Sequence, residues 1–203
     1  EDPVEYQLEG VTQIQVRPEI GLDFASGLRS LLRQSPDIIM VGEIRDGETA
    51  DIAVKAALTG QLVLSTLHTN DATSSITRII DMGVEPFLVS SSLVMICAQR
   101  LCRLICPRCK ESVEESTEFL KAIGFKDKIT FYRGEGCSFC NNSGFYGRRA
   151  ILEVLMINDV IREMIIQKKS CDEIKEYAVS NLNMKTLRDD AFLKVKEGLI
   201  TLE

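Results

Sequence analysis

The sequence predicts an α/β fold with a parallel sheet, a small cysteine-rich insertion and a helical C-terminal region. Short apolar runs at 37–41 and 62–67 alternate with segments of helical periodicity, an order typical of βαβ units. A stretch at about 102–149 is rich in Cys, Gly, Asn and Lys and has no long apolar period, and helical signals return from Ile151. A chain of 203 residues is long enough to bury a core without disulfides.

In the first half, apolar periodicity and capping residues place the elements. Ser35-Pro36 ends the first helix, because the residue before proline avoids the αR region. Both strands consist mainly of apolar residues, which predicts that each is covered on both faces. The predicted elements are a helix at Leu22–Gln34, a strand at Asp37–Val41, a helix capped by Asp46 and ending at Gly60, a strand at Leu62–Leu67, and a helix capped by Asn70 and ending at Gly83.

Three capping signals predict helices in the C-terminal region. Asn158 precedes a helix over 159–168, Ser170 and Glu173 form a capping box, and Thr186 opens a last helix that ends at Gly198.

Composition and charge exclude several classes of protein. Hydrophobic residues are 45% and charged residues 27% of the chain, which is not the composition of a disordered protein. The formal net charge of −6 argues against a protein that mainly grips a nucleic acid backbone. The longest nearly apolar run, 87–98, is too short to span a bilayer, so no transmembrane segment is expected.

The first predicted strand ends in an acid. Ligands of a parallel sheet bind outside the carboxyl ends of its strands, and Glu43 stands there after Gly42. This is the arrangement of a Walker B element, whose carboxylate reaches Mg²⁺ or its water beside a triphosphate. A strand followed by a charged turn, with Arg45 and Asp46 paired on the surface, explains the local pattern equally well.

The second predicted strand ends in the only histidine of the chain, His68. It lies just before a helix N-terminus, where the backbone N–H groups favour anions, so its imidazole is a candidate to bind a terminal phosphate. A histidine that is simply hydrogen-bonded to Asn70 or Asp71 is the more common explanation for one such residue alone.

The first six residues, Glu1 to Tyr6, hold three carboxylates. Carboxylates so placed can accept a proton from water, although a solvated acidic turn is the more common explanation of such a motif.

Four of the seven cysteines form two Cys-x-x-Cys pairs, Cys106/Cys109 and Cys137/Cys140. Two such pairs supply the four thiolates of a tetrahedral zinc site, and without a secretory signal zinc is favoured over a disulfide framework. The pairs stand further apart than the roughly 15–20 residues usual in zinc ribbons. Cys97 and Cys171 are expected to be buried as small hydrophobic residues.

These motifs, in this order, resemble the secretion ATPases that drive type II secretion and type IV pilus assembly. Glu1 to Tyr6 resembles the Asp box of that family, Leu28 to Asp46 its Walker B region and Ser65 to Ala72 its His box. Gln99-Arg100-Leu101 with the cysteine pairs resembles the zinc-binding segment. Ser35-Pro36-Asp37 departs from the usual Asp-Pro-Asp, and Ala150 stands where the family often has Gly.

The resemblance implies a RecA-like P-loop ATPase core with a partial parallel sheet and flanking helices. It divides the chain into that core at 1–101, a zinc-binding insertion at 102–149 and a C-terminal helical region at 150–203. It makes Glu1 the base for the attacking water, Glu43 the acid on Mg²⁺, and His68 the imidazole near the terminal phosphate. The zinc ligands would be Cys106, Cys109, Cys137 and Cys140.

The function implied by the resemblance is that of the C-terminal part of a hexameric traffic ATPase. ATP, Mg²⁺ and Zn²⁺ are the expected cofactors, and an inner-membrane platform protein is the expected partner. The location would be cytoplasmic, with peripheral association with the inner membrane through partners. The chain has no Gly-x-x-x-x-Gly-Lys-Ser/Thr phosphate loop, so on its own it is expected to be inactive.

Two alternatives belong to other functional classes. A zinc-stabilised protein-interaction module with no catalytic role predicts that Glu43 and His68 do not share a cleft. A nucleic-acid translocase is disfavoured by the acidic charge and by the lack of stacking aromatics among the basic residues, so no nucleic acid partner is expected.

Overall fold

The computed structural model describes residues 1–114, 116–124 and 129–202. It divides into two compact units, each made of two stretches of chain: residues 1–96 with 155–178, and residues 97–154 with 179–203. This division by compactness does not test the predicted segments 1–101, 102–149 and 150–203, which stay a prediction. None of the helices in the described residues is long and apolar enough to cross a membrane.

The first unit contains the predicted parallel strand pair. β1 and β2 run parallel, with Ile38 opposite Leu62 and Val41 opposite Ser65, and α2 lies between them in the chain. A βαβ arrangement is therefore confirmed. The elements of this unit are α1 (Phe24–Leu32), β1 (Ile38–Val41), α2 (Gly47–Leu58), β2 (Leu62–Ser65), α3 (Ala72–Asp81), α4 (Pro86–Ser92) and α6 (Asp159–Ile166), with a short 3-10 helix at Pro18–Ile20.

Three helices of this unit, α1, α2 and α3, start at aspartate caps. Asp46 accepts a hydrogen bond from the Thr49 N–H, as predicted. The prediction that Asn70 caps α3 is wrong by one residue, because Asp71 takes that position and its side chain accepts from the Ser74 N–H. A carboxylate also interacts better than an amide with the positive end of a helix.

Only one face of the strand pair is covered, so the prediction that both faces are buried is wrong. Ile39 and Val41 are 3% and 4% exposed, whereas Ile38 and Met40, which point the other way, are 63% and 62% exposed. In β2, Leu62 is likewise exposed. The side chains of a strand alternate between two faces, and the described residues supply a core to one of them.

The second unit holds the cysteine pairs and a small core of its own. β4 pairs antiparallel with β5, and β3 pairs with β6. One core cluster of this unit consists of the buried residues Phe131, Val195 and Ile200. Its elements are most of β3 (Met95–Ile105) and β6 (Phe145–Met156), with β4 (Lys110–Val113), α5 (Thr117–Ala122), β5 (Phe131–Gly134), α8 (Leu187–Lys196) and a 3-10 helix at Ser138–Cys140.

The C-terminal capping predictions are confirmed at α6 and α8. Asn158 accepts from the Ile161 N–H, and Thr186 forms a capping box with Asp189. Ser170 and Glu173 exchange hydrogen bonds at the start of α7 (Cys171–Leu182). The expectation that helical structure starts at Ile151 is wrong, because that residue lies within the strand β6.

Candidate active site and cysteine cluster

Hydrogen bonds between the two strand ends continue beyond β1 and β2. The Ile44 N–H donates to the Thr66 carbonyl at 3.1 Å, and the Thr66 hydroxyl donates to the Gly42 carbonyl at 2.6 Å. The two turns that carry Glu43 and His68 are therefore held side by side by the same pairing that aligns the strands.

Glu43 and His68 meet at this edge. His68 Nε2 lies 3.0 Å from Glu43 Oε2, in hydrogen-bond contact. The Glu43 side chain is 13% exposed and that of His68 is 85% exposed, so the imidazole stands in solvent above a largely covered carboxylate. Glu43 is thus the partner of the histidine, in place of the Asn70 or Asp71 side chain considered from the sequence.

Arg45 holds the other oxygen of the same carboxylate. Its guanidinium contacts Glu43 Oε1, and its Nη1 lies 4.0 Å from Asp2 Oδ2. The pairing with Asp46 considered from the sequence does not occur, since the Asp46 side chain caps α2. Arg45 lowers the pKa of Glu43; burial acts in the opposite direction, and His68 adds to the lowering. The site therefore holds an ionised acid between two cationic or polar donors.

Glu1 lies beside the same strand end. A Cβ placed on Gly42 would stand 3.5 Å from the Glu1 Cα, so the backbone of Glu1 packs against the residue that precedes Glu43. The Glu1 carboxylate accepts a hydrogen bond from Gln13 Nε2 at 2.8 Å. Sequence reasoning singled out Glu1, Glu43 and His68, and the structure gathers all three at one edge of the first unit. The sequence did not identify Arg45 or Gln13 as members of this site.

The N-terminus of α3, next to His68, is already satisfied from within. The Asp71 carboxylate accepts from the Ser74 N–H at 2.9 Å and pairs with Lys175 at 3.0 Å. Burial opposes ionisation of Asp71, but the bonds from Ser74 and Lys175 outweigh it and hold its pKa at about 2. The free N–H groups expected there as an anion site are thus partly used by the protein's own carboxylate.

The two cysteine pairs converge in the second unit. All four Sγ atoms lie within 4.8 Å of one another. The separations are 3.9 Å for Cys106–Cys137, 3.8 Å for Cys109–Cys140 and 3.7 Å for Cys137–Cys140. Zn–S bonds of about 2.3 Å place two sulfurs of a tetrahedron about 3.8 Å apart, so the thiols fit a zinc ion.

Tight backbone turns bring the thiols together. Asn141 and Asn142 have φ of 51° and 57°, a conformation that asparagine tolerates better than most residues. A Cβ on Gly134 would lie 2.0 Å from the Gly144 carbonyl oxygen, so these two backbones approach in a way that only glycine allows.

Backbone N–H groups also point at the sulfurs. The Gly136 N–H donates to Cys109 Sγ at 3.3 Å and the Cys137 N–H to Cys140 Sγ at 3.2 Å. Burial raises the pKa of the Cys109 thiol to about 12. Burial also acts against the Cys140 thiolate, but hydrogen bonds from Cys137 and Gly144 outweigh it and lower its pKa to about 6. A metal that binds here must therefore displace the proton of Cys109, whereas the hydrogen bonds to Cys140 already favour its thiolate.

The remaining cysteines stand apart from this cluster. Cys97 is exposed, and Cys102 and Cys171 are partly exposed. The expectation that Cys97 and Cys171 are buried is wrong. Neither belongs to a group of potential metal ligands among the described residues.

Comparison with known proteins finds relatives of this chain among secretion system proteins. A family model described as "Type II/IV secretion system protein" matches residues 1–203. The type IV pilus assembly ATPase PilB of Thermus thermophilus is 51% identical over 207 residues, which cover 100% of this chain and 23% of that protein. The type II secretion system ATPase E of Vibrio cholerae is 47% identical over 205 residues, which cover 100% of this chain and 40% of that protein.

The fold of this chain also matches a solved structure. The pilus retraction motor PilT with bound ADP superposes with a TM-score of 0.69 at 29% identity, covering 100% of this chain and 49% of that one. The chain spans less than half the length of these relatives.

Proposed function

Because this chain belongs to the type II/IV secretion system protein family, we propose that it is part of a hexameric traffic ATPase that hydrolyses ATP to power type IV pilus assembly or type II protein secretion. The observation that carries the proposal is the contact between Glu43 and His68, the acid and the imidazole at adjacent strand ends. Ligands of open α/β sheets bind at this edge. The contact also favours a catalytic role over an interaction module, in which these residues would have no reason to meet.

In this proposal Glu43 is the acid of the Mg²⁺ site. Each of its oxygens makes one contact, with Arg45 or His68, and a carboxylate oxygen can accept two bonds, so the group retains capacity for the water shell of a cation. A Mg²⁺ ion held there would offset the negative charge of the phosphate groups. Arg45 and His68 keep the carboxylate ionised and oriented.

Glu1 and His68 act on the water and on the phosphate. Glu1 orients the attacking water and takes its proton, and the exposed imidazole of His68 hydrogen-bonds the terminal phosphate of ATP. Catalysis of phosphoryl transfer consists mostly of such positioning and charge stabilisation. The chain lacks a phosphate-loop lysine, so the rest of the protein must supply the phosphate cradle.

Cys106, Cys109, Cys137 and Cys140 hold a structural zinc ion in this proposal. Their spacing and burial support a closed four-thiolate site. The unit they stabilise would be the docking surface for an inner-membrane platform protein, which places the motor in the cytoplasm with peripheral attachment to the inner membrane. Relatives from both pilus assembly and type II secretion match at similar identity, so the proposal covers both machines.

Substitution of Glu43 in the full-length protein tests the function. We expect Glu43→Gln to bind ATP while its turnover falls at least about 100-fold, the scale of losing one charged group that acts in the transition state. Glu19→Gln, a change of the same kind at an exposed residue of the same unit, is the control and should retain full turnover. Residues 1–203 alone should hydrolyse ATP negligibly. A wild-type protein without ATPase activity, or a Glu43→Gln variant with normal turnover, would overturn the proposal.

A further inference from the structure

The side chain of Gln13 spans the loop that starts at Glu1. Its Oε1 accepts from the Leu8 N–H at 2.7 Å, and its Nε2 donates to the Tyr6 carbonyl at 2.9 Å and to Glu1 Oε1 at 2.8 Å. Both hydrogens of the amide nitrogen are therefore used, and the three partners fix which end of the amide faces Glu1.

The backbone of Glu1 is held separately from its side chain. Its nitrogen donates to the Ile14 carbonyl at 2.9 Å, and its carbonyl accepts from the Val16 N–H at 2.9 Å. These bonds set the position of the Cα against Gly42 but leave the side-chain torsions free. The contact from Gln13 is the one that orients the carboxylate, since among the described residues no other donor reaches it.

Apolar packing does little to order this loop. Tyr6 is 76% exposed, and Leu8 and Val11 are each 57% exposed. A loop with so little buried apolar surface depends on hydrogen bonds for its conformation, and Gln13 makes three of them.

We propose that Gln13 is a positioning residue for catalysis: its amide holds Oε1 of Glu1, so that Oε2 is presented to the attacking water. The inference rests on the proposed role of Glu1 as the base. It assigns to Gln13 no contact with substrate, only the orientation of the group that touches it.

A variant series in the full-length protein separates positioning from stability. We expect Gln13→Met, which is similar in size but cannot hydrogen-bond, to lower kcat about tenfold, because a displaced base loses much of its effect. The dissociation constant for ATP should stay within about twofold, since the phosphate cradle is elsewhere. Gln15→Met is the matched control; Gln15 is exposed and makes no side-chain hydrogen bond within the described residues, so its kcat should be unchanged.

Double substitutions give two further readouts. If Gln13 acts only through Glu1, adding Gln13→Met to Glu1→Gln should lower kcat no further than Glu1→Gln alone. Gln13→Glu places a second carboxylate against Glu1 and should lower both kcat and Tm. Combining it with Glu1→Gln restores a donor facing an acceptor, so Tm should recover while kcat stays low.

The outcomes distinguish this inference from the proposed function. If Glu1→Gln abolishes turnover but Gln13→Met does not change it, the positioning role is wrong and the base assignment stands. If Gln13→Met lowers kcat equally in the wild-type and Glu1→Gln backgrounds, Gln13 acts only on the loop's stability and the inference is again wrong. If Glu1→Gln retains normal turnover, the proposed base itself fails and the role of Gln13 falls with it.

Discussion

The strand-end site and the cysteine cluster bring residues together in opposite ways. Glu1, Glu43 and His68 come from three separated stretches of chain, and strand pairing and neighbouring loops carry them to one edge. The four cysteines come from two tight turns in the second unit, where one core cluster is built around Phe131, Val195 and Ile200. The strand-end site is held in place by the surrounding fold, whereas the cysteine cluster itself has to help hold its unit together.

The charges of the two regions differ accordingly. At the strand ends, the carboxylate of Glu43 is balanced by Arg45 and faces an exposed imidazole. In the cluster, thiols must lose protons to bind a cation, and the repulsion among the resulting thiolates is relieved by that cation. Substitutions should therefore change chemistry at the strand ends and stability at the cluster.

The largest expected effect is loss of the cysteine site. Cys137→Ser combined with Cys140→Ser should abolish binding of about one zinc per chain and unfold the segments 106–113 and 131–144, because such a site contributes on the order of 10 kcal/mol to folding. Metal analysis and amide hydrogen exchange in these two segments measure the two effects. Cys97→Ser, at an exposed cysteine outside the cluster, is the control and should leave both unchanged. Full amide protection in the double variant would mean that the small apolar core suffices, and the contrast between the two regions would disappear.

An intermediate effect is expected at His68 in the full-length protein. His68→Asn should lower kcat about tenfold, less than Glu43→Gln, because a single hydrogen-bonding group is lost while Arg45 still holds the acid. His68 contacts Glu43 through Nε2. The amide nitrogen of glutamine lies further from the backbone than that of asparagine, so it comes closer to the position of Nε2. His68→Gln should therefore retain more activity than His68→Asn. Equal activities of the two variants would show that activity does not require a hydrogen-bonding group at the position of Nε2.

The sequence predicted those parts of the fold whose signals are local. The parallel pair of β1 and β2 follows from apolar runs bounded by Ser35-Pro36 and by caps, and α2, α6 and α8 start where their capping residues predict. The strands β3 and β6 were missed. In the middle of each, consecutive residues such as Arg100 and Leu101 are exposed, so the apolar alternation that identifies a strand is absent there.

Chemically distinctive residues of the site were visible in the sequence, while their supports were not. Glu43 and His68 each follow an apolar strand, and the cysteine pairs have metal-ligand spacing. Gln13 and Arg45 lie outside any periodic pattern, and their contacts depend on where a loop returns in space. A glutamine in an exposed loop carries no local signal for a contact twelve residues away.

The smallest expected effect is on stability, at Asp71, the N-cap of α3 near His68. Asp71→Asn retains a side-chain cap on α3 but loses the charge that pairs with Lys175. The carboxyl pKa is about 2 in the folded chain against an ordinary 3.8, which corresponds to about 2 kcal/mol of stability. Because this folded-state pKa is depressed, the contribution is complete above about pH 5 and is lost as the pH falls from about 4 toward 2.

Urea unfolding should thus show a constant difference in unfolding free energy between wild type and Asp71→Asn from pH 7 to pH 5, and this difference should narrow below pH 4. Asp81→Asn, at an exposed acid at the other end of α3, should show no destabilisation. If the difference in unfolding free energy already narrows above pH 5, another titrating group causes it. The ion pair of Asp71 with Lys175 would then not be what stabilises this part of the first unit.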